Sequence, residues 1–156
     1  MIEVGAEQRS LFRHWPAGVS VVVAESDGRR HGLTVSTLVS LSLEPGLVGI
    51  SIARQASLHE LLRDAGEWAA SLLAGDQEEL AKRFARSMPP IALWDGVEVR
   101  PDDPRLLAGA AGWLVARTVD ELMAGDHTFF VAELVSVEEG AAATSLAHVH
   151  REYVAL

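Results

Sequence analysis

Between Val19 and Ala53 the hydrophobic residues recur at alternate positions and are broken at short intervals by turn dipeptides, a pattern that admits short strands and excludes long helices. Val19, Val21 and Val23 alternate with Ser20, Val22 and Ala24, the Asp27-Gly28 dipeptide supplies a hairpin turn, and apolar residues resume at Leu33 and Val35. Leu38 to Leu43 alternates apolar residues with serine. Pro45-Gly46 turns the chain, and Leu47 to Ala53 reads as a further buried strand.

Outside this segment the period changes. Ala6 to Trp15 can form a short helix that Pro16 ends. From Ser57 the spacing is helical: Leu58, Leu61, Leu62 and Ala65 share one face, and Gly66 is placed to cap the C-terminus. Trp68 to Leu73 reads as a strand, and Asp76 with Glu79 has the form of a capping box for a helix through Leu80 and Phe84. Ser87 to Pro104, rich in Pro and Asp, reads as a long loop. Gly109 to Val119 and His127 to Val137 form two long strands joined at Gly125, and Ser145 to Val154 is the last strand. Short strands with few helices predict a mainly β fold, an antiparallel barrel with helical inserts, and not a βαβ sheet. A doubly wound nucleotide fold is excluded because no G-x-G-x-x-G follows a first strand; Gly109-Ala-Ala-Gly112 comes late and lacks the third glycine.

With 156 residues, 49% of them hydrophobic, the chain suits one domain spanning 1–156 around a continuous core. A net charge of −9 opposes a nucleic-acid surface, because phosphate backbones are held by clustered Lys and Arg. Small molecules or proteins are the expected partners. Cysteine is absent, which excludes disulfides, thiolate nucleophiles and Cys-ligated metal clusters. No uninterrupted apolar run of about eighteen residues exists, and the first residues lack the basic-then-apolar order of a signal peptide. The expectation is a soluble cytoplasmic protein without membrane attachment.

The strand pair also carries an unusual load of hydroxyls: Thr34, Ser36, Thr37, Ser40 and Ser42 lie within His31 to Pro45. Such a run suits a polar ligand. It resembles the G-x-T-V-S-S-x-x-S-x-S-L-x-P-P signature of the flavin reductase family. Further segments agree in order: Trp15-Pro16-Ala17-Gly18-Val19, Asp76-Gln77 through Arg83-Phe84-Ala85, and Gly125-Asp126-His127-Thr128-Phe129-Phe130. The resemblance runs from about Leu11 to Leu156. It implies a dimeric, Greek-key FMN-binding split barrel that holds FMN or FAD and reduces it with NADH or NADPH. It further implies the small reductase component that feeds reduced flavin to a separate monooxygenase.

By the same resemblance, Thr34, Val35, Ser36 and Thr37 face the isoalloxazine, with backbone and hydroxyl donors to its polar edge. Ser51, Ile52 and Ala53 form the adjoining strand end, and Ser57 grips the flavin phosphate at a helix start, a place where free N–H groups favour anions. Ser57 serves equally well as a plain N-cap. Arg83 with Phe84 matches the family's basic-aromatic pair beside the phosphate, although core packing is the ordinary fate of a Phe. Local cations must offset the negative chain, and Arg54, Lys82, Arg83 and Arg86 are available. His127 matches the residue used near the nicotinamide and is the candidate catalytic group; a strand-start histidine bonded to Asp126 is its structural alternative. The sequence departs from the family at Thr37, Gly46 and Ala147, where serine, proline and tyrosine are usual.

His148 and His150 would face one side of a strand, yet no third ligand has coherent spacing, so no metal site is expected. The function expected is NAD(P)H-dependent flavin reduction. A non-enzymatic flavin-binding or electron-carrier protein on the same barrel is the alternative, since fold and cofactor do not dictate turnover.

Overall fold

The computed structural model describes residues 4–156. Helix α1 (Val4–Phe12) leads into β1 (Ala17–Gly18), then into the hairpin β2 (Ser20–Ser26) and β3 (Arg29–Val35). Asp27 and Gly28 take φ of 52° and 75°, the left-handed pair that a two-residue turn between twisted strands requires. β4 (Val39–Leu43) and β5 (Gly46–Ala53) follow, then α2 (Ser57–Ala65), β6 (Glu67–Leu72), α3 (Glu78–Phe84) and α4 (Pro90–Leu93). The chain closes with β7 (Val99–Arg100), β8 (Asp103–Leu107), the long pair β9 (Gly112–Ala124) and β10 (His127–Glu139), and the hairpin β11 (Leu146–Val149) and β12 (Glu152–Ala155).

The main sheet has seven antiparallel strands in the order β3-β2-β6-β9-β10-β5-β4, so β3 and β4 are its edges. β1 pairs with β11 in a smaller sheet. The expected mainly β antiparallel class with helical inserts is therefore the observed one. Six strands turn apolar residues to one core with α2 packed across it: Val22, Val35, Ile50, Ile52, Trp68, Ala116 and Phe130 meet Leu58 and Leu62. Each fully buried aliphatic or Phe side chain there contributes about 1.5–3 kcal/mol. Gly66, at φ 71°, returns its N–H to the Leu62 carbonyl at 3.0 Å and ends α2 as the sequence predicts. A second core lies on the other face of β2, where Val21 and Val23 pack with Phe84 of α3, Leu93 of α4 and Leu107 of β8. β2 is thus apolar on both faces because both are covered.

Several expectations are corrected. The first helix ends at Phe12, before Trp15, in a tightened turn whose His14 and Trp15 amides reach back three residues. No described residue of α1 is buried. The capping box at Asp76 does not form: α3 starts after Gln77, whose side chain accepts from the Ala74 N–H (2.9 Å) and donates to the Ala108 carbonyl (2.9 Å). The segment from Ser87 to Pro104 is not a plain loop. Pro90 opens α4 at the position where a missing N–H costs nothing, Leu93 is fully buried, and Pro104 lies within β8. The last strand is a hairpin, turned by His150 and Arg151 at φ 53° and 65° without any glycine. No helix among the described residues is long and apolar enough to cross a membrane.

Candidate functional site

The expected site residues gather along two adjoining stretches. In the first, β10 pairs with β5 so that His127 faces Ala53, Thr128 faces Ile52 and Phe129 faces Ser51. Thr37 joins this group: its hydroxyl donates to the Ser51 carbonyl at 3.0 Å and accepts from the Ser51 N–H at 3.1 Å. Threonine in place of serine keeps that hydroxyl, whose proton goes to the Ser51 carbonyl. Ser51 and Ala53 are half-buried and Ile52 is buried.

His127 opens β10, half-exposed. Its Nδ1–H donates to Asp126 at 2.7 Å, and this hydrogen bond, followed by the charge of the ring, holds the Asp126 carboxyl below the usual carboxylate value. The bond fixes the ring and leaves Nε2 without a protein partner among the described residues. Beneath it, His59 of α2 is buried, and its Nδ1–H donates to Glu60 at 2.9 Å. In the neutral ring Nε2 then accepts from the buried Thr128 hydroxyl at 2.7 Å, which ties α2 to the start of β10. The sequence reading missed this link because Thr128 carries no signal of burial.

In the second stretch, Thr34 of β3 donates to the Ala81 carbonyl at 2.7 Å, fastening α3 to the sheet edge. Arg83 Nη1 donates to the Leu93 carbonyl (3.4 Å) and to the Asp95 carbonyl, leaving Nε and Nη2 without an acceptor among the described residues. Phe84 has no exposed area, and its ring meets Trp94 edge-on with centroids 5.1 Å apart. The contact expected of Phe84 with a cofactor is therefore replaced by core packing. Gly32 explains the need for that packing: a Cβ there would lie 2.9 Å from Phe84 Cε1 and 3.1 Å from Val23 Cγ2.

Backbone donors remain. The Trp94 indole N–H donates to the Arg30 carbonyl at 2.9 Å, so Arg30 turns its peptide groups away from β2. By the alternation of an antiparallel ladder Gly32, buried under Phe84, and Thr34, half-buried, turn their amides the same way. Val35 is buried, Ser36 is exposed, and both line a small cavity of about 150 Å³ with Val19, Thr34, His148 and Tyr153. Ser57 is the first residue of α2; the N-cap is Ala56, which offers no side-chain bond to the helix amides. Ser57 lines a separate cleft of about 630 Å³ that also takes in Arg30, His31 and Trp94.

Outward amides at the β3 edge, unspent Arg83 donors and an uncapped helix start supply what a nucleotide needs: donors to a polar ring edge and to a phosphate. The residues present fit such a group. Lys82 is engaged by Glu78 and Glu79 and adds little. His148 stacks near Tyr153 and His150 against His14, so the two histidines part company, and no group of three metal-ligating side chains occurs among the described residues.

The family described as flavin reductase like domain matches residues 12–156. The reductase component of 4-nitrophenol 4-monooxygenase/4-nitrocatechol 2-monooxygenase from Rhodococcus opacus is 35% identical over 135 residues, covering 86% of this chain and 72% of that one. An NADH:FMN oxidoreductase of Rhodococcus erythropolis is 33% identical, covering 94% and 80%. Among solved structures, the NADH:FAD oxidoreductase of Streptomyces globisporus superposes with a TM-score of 0.89 at 28% identity, covering 98% of this chain and 93% of that one.

Proposed function

This chain belongs to the flavin reductase-like family, and on that premise we propose how its own residues serve NAD(P)H-dependent flavin reduction. The chain is an oxidoreductase in which NADH or NADPH gives up a hydride and FMN or FAD, when bound, accepts it. In this reading the β3 amides and Ser36 meet the ring's polar edge, Val35 packs against it, and Ser57 with Arg83 holds the phosphate. Ser51, Ile52 and Ala53 wall the other side. Thr34 and Thr37 act by fixing strands, as their hydroxyls already have protein partners.

His127 orients the nicotinamide. The observation that carries this is the pairing of His127 with Ala53, which puts its unpartnered Nε2 at the end of the same strand whose Ser51 is bound to Thr37. Catalysis is then chiefly positioning, which can supply about 7–11 kcal/mol without any protein nucleophile.

The same proposal includes a single domain over 1–156, a split-barrel homodimer, a cytoplasmic location and delivery of reduced flavin to a partner monooxygenase. Support for the dimer comes from apolar side chains left in water: Leu43 is 92% exposed, Trp15 70% and Val137 68%. Light scattering should give twice the chain mass, and Leu43→Asp should lower it; a strictly monomeric parent refutes the dimer. The functional test is anaerobic mixing of the protein and a molar excess of FMN or FAD with NADH. Loss of the oxidised-flavin absorbance through many turnovers is expected, and a chain that binds flavin but never bleaches it is only a carrier.

A further inference from the structure

We propose that His59 is a positioning residue for the hydride transfer: through the Thr128 hydroxyl it fixes the start of β10, and with it the direction in which His127 presents Nε2. The proposal rests on the reading that His127 orients the nicotinamide.

An apolar side chain would fill the place of His59 at less cost in desolvation. The residue is 5% exposed, on the helix whose Leu58 and Leu62 are fully buried, and its ring meets Phe130 edge-on with centroids 5.6 Å apart. A polar pair buried in such surroundings recovers little more than it loses on leaving water, and an apolar pair of the same shape is nearly neutral or better. What the polar pair adds is direction. The Glu60 carboxylate can only accept, so the His59 proton sits on Nδ1, and Nε2 is left to accept from the Thr128 hydroxyl at 2.7 Å. Thr128 is 6% exposed, so its hydroxyl has no water to turn to.

Direction is what His127 lacks without this link. It is the first residue of β10, directly after the turn at Gly125, whose φ is 64°. Beyond its pairing with Ala53 the ladder is continued only by the Arg54 N–H, which donates to the Asp126 carbonyl at 2.9 Å. The Asp126 carboxylate that holds the His127 ring is itself 95% exposed, and a side chain in water cannot aim an imidazole alone. Successive side chains of a strand point to opposite faces, so Thr128 locked inward sets the peptide it shares with His127 and turns His127 outward. His59 also lies two residues after Ser57. One hydrogen bond thus joins the helix start read as the phosphate holder to the strand start read as the nicotinamide holder. Positioning is sensitive on this scale: a displacement of about 1 Å can lower the rate about a hundredfold.

The test is Thr128→Val, made alone, with His59→Leu and with His127→Ala, beside Thr128→Ser. Valine keeps the shape and loses the hydroxyl; serine does the reverse. KM and kcat for NADH are measured at saturating FMN, and Tm and the three-bond couplings of the His127 β protons are measured on the flavin-free chain. Thr128→Val should raise KM about threefold or more with kcat within about twofold, and Thr128→Ser should stay near the parent. His59→Leu with Thr128→Val should keep the parent's Tm but not its KM. With His127→Ala already in place, Thr128→Val should add less than about twofold, because the group it positions is gone. The couplings should report one χ1 rotamer of His127 in the parent and an average in Thr128→Val. If His127→Ala raises KM and Thr128→Val does not, the proposal is overturned; so it is if Thr128→Ser raises KM as much as Thr128→Val, or if Thr128→Val acts equally with His127 absent. Should Thr128→Val not fold, the double variant with His59→Leu decides. Should His127→Ala leave KM unmoved, the reading of His127 fails on its own, and the couplings judge the link: averaging supports it, and an unchanged rotamer overturns it.

Discussion

Gly32→Ala sets two opposed effects against each other, and the structure says which wins. Replacing a strand glycine by alanine ordinarily stabilises by about 0.4–1 kcal/mol, because the unfolded chain loses freedom. At this position the new methyl would stand 2.9 Å from Phe84 Cε1, 3.0 Å from Phe84 Cδ1 and 3.1 Å from Val23 Cγ2. The Phe84 ring has little room to yield, being fully buried and edge-on to Trp94. Overpacking of this kind costs about 1–3 kcal/mol, and a ring that cannot yield puts this position in the upper half, about 2–3 kcal/mol, so a net loss of about 1–2.6 kcal/mol is expected. For a chain of this size each kcal/mol moves the Tm by about 2–4 °C. Urea unfolding of a double-mutant cycle with Phe84→Leu measures the cause: Gly32→Ala should cost less than half as much once the ring is gone. If Gly32→Ala is neutral or stabilising beside an intact Phe84, or costs the same in both backgrounds, the packing account of the motif glycine is wrong.

Thr34→Val should destabilise by about 1 kcal/mol, the low end for a lost hydrogen bond in a half-buried site, since the Ala81 carbonyl loses its donor; chemical denaturation checks it. His127→Ala should raise KM for NADH while leaving flavin Kd and Tm nearly unchanged, and single-turnover bleaching with flavin titration separates this from a general loss of structure. Burial depresses the His31 pKa below 6.5, so the unfolded chain binds more protons than the folded one between the folded value and 6.5. Stability should therefore rise with pH through that window and fall as pH is lowered. His31→Gln should flatten that part of the Tm profile.

What the sequence made legible is what is local. The β2–β3 hairpin is announced by Asp27-Gly28, and α2 by its apolar face and Gly66, because turn chemistry and side-chain period act over a few residues. The β11–β12 hairpin is hidden since its left-handed turn falls on His150 and Arg151, residues with no turn signature. Helix α4 is hidden among prolines, and only the burial of Leu93 reveals why it forms. At the site, the Ser51–Ala53 strand and His127 are neighbours through the β5–β10 register, which no local pattern announces. The fates of Thr34, Thr37 and Phe84 depend on Ala81, Ser51 and Gly32, partners fixed only by the tertiary fold. The cleft at Arg30 and Trp94 joins a hairpin to a loop that nothing in the sequence associates.

The strand order has a consequence for how the chain reaches this state. β5 must wait for β10, β6 for β9, and Ala17 for His148, so nearly every pairing that encloses the core spans a long stretch of intervening chain. Loop-closure entropy must be met before such contacts repay it, which puts folding in the slow range of milliseconds to seconds common to β topologies. During synthesis the β2–β3 hairpin can form as soon as it emerges, but the face of Val21 and Val23 stays uncovered until the chain has been made through Leu107, and the core that holds Val22 is not complete until β10 has been made. The nascent protein therefore passes through a window in which Val21, Val22 and Val23 are open to wrong partners, and its yield in cells depends on how that window is kept short or shielded.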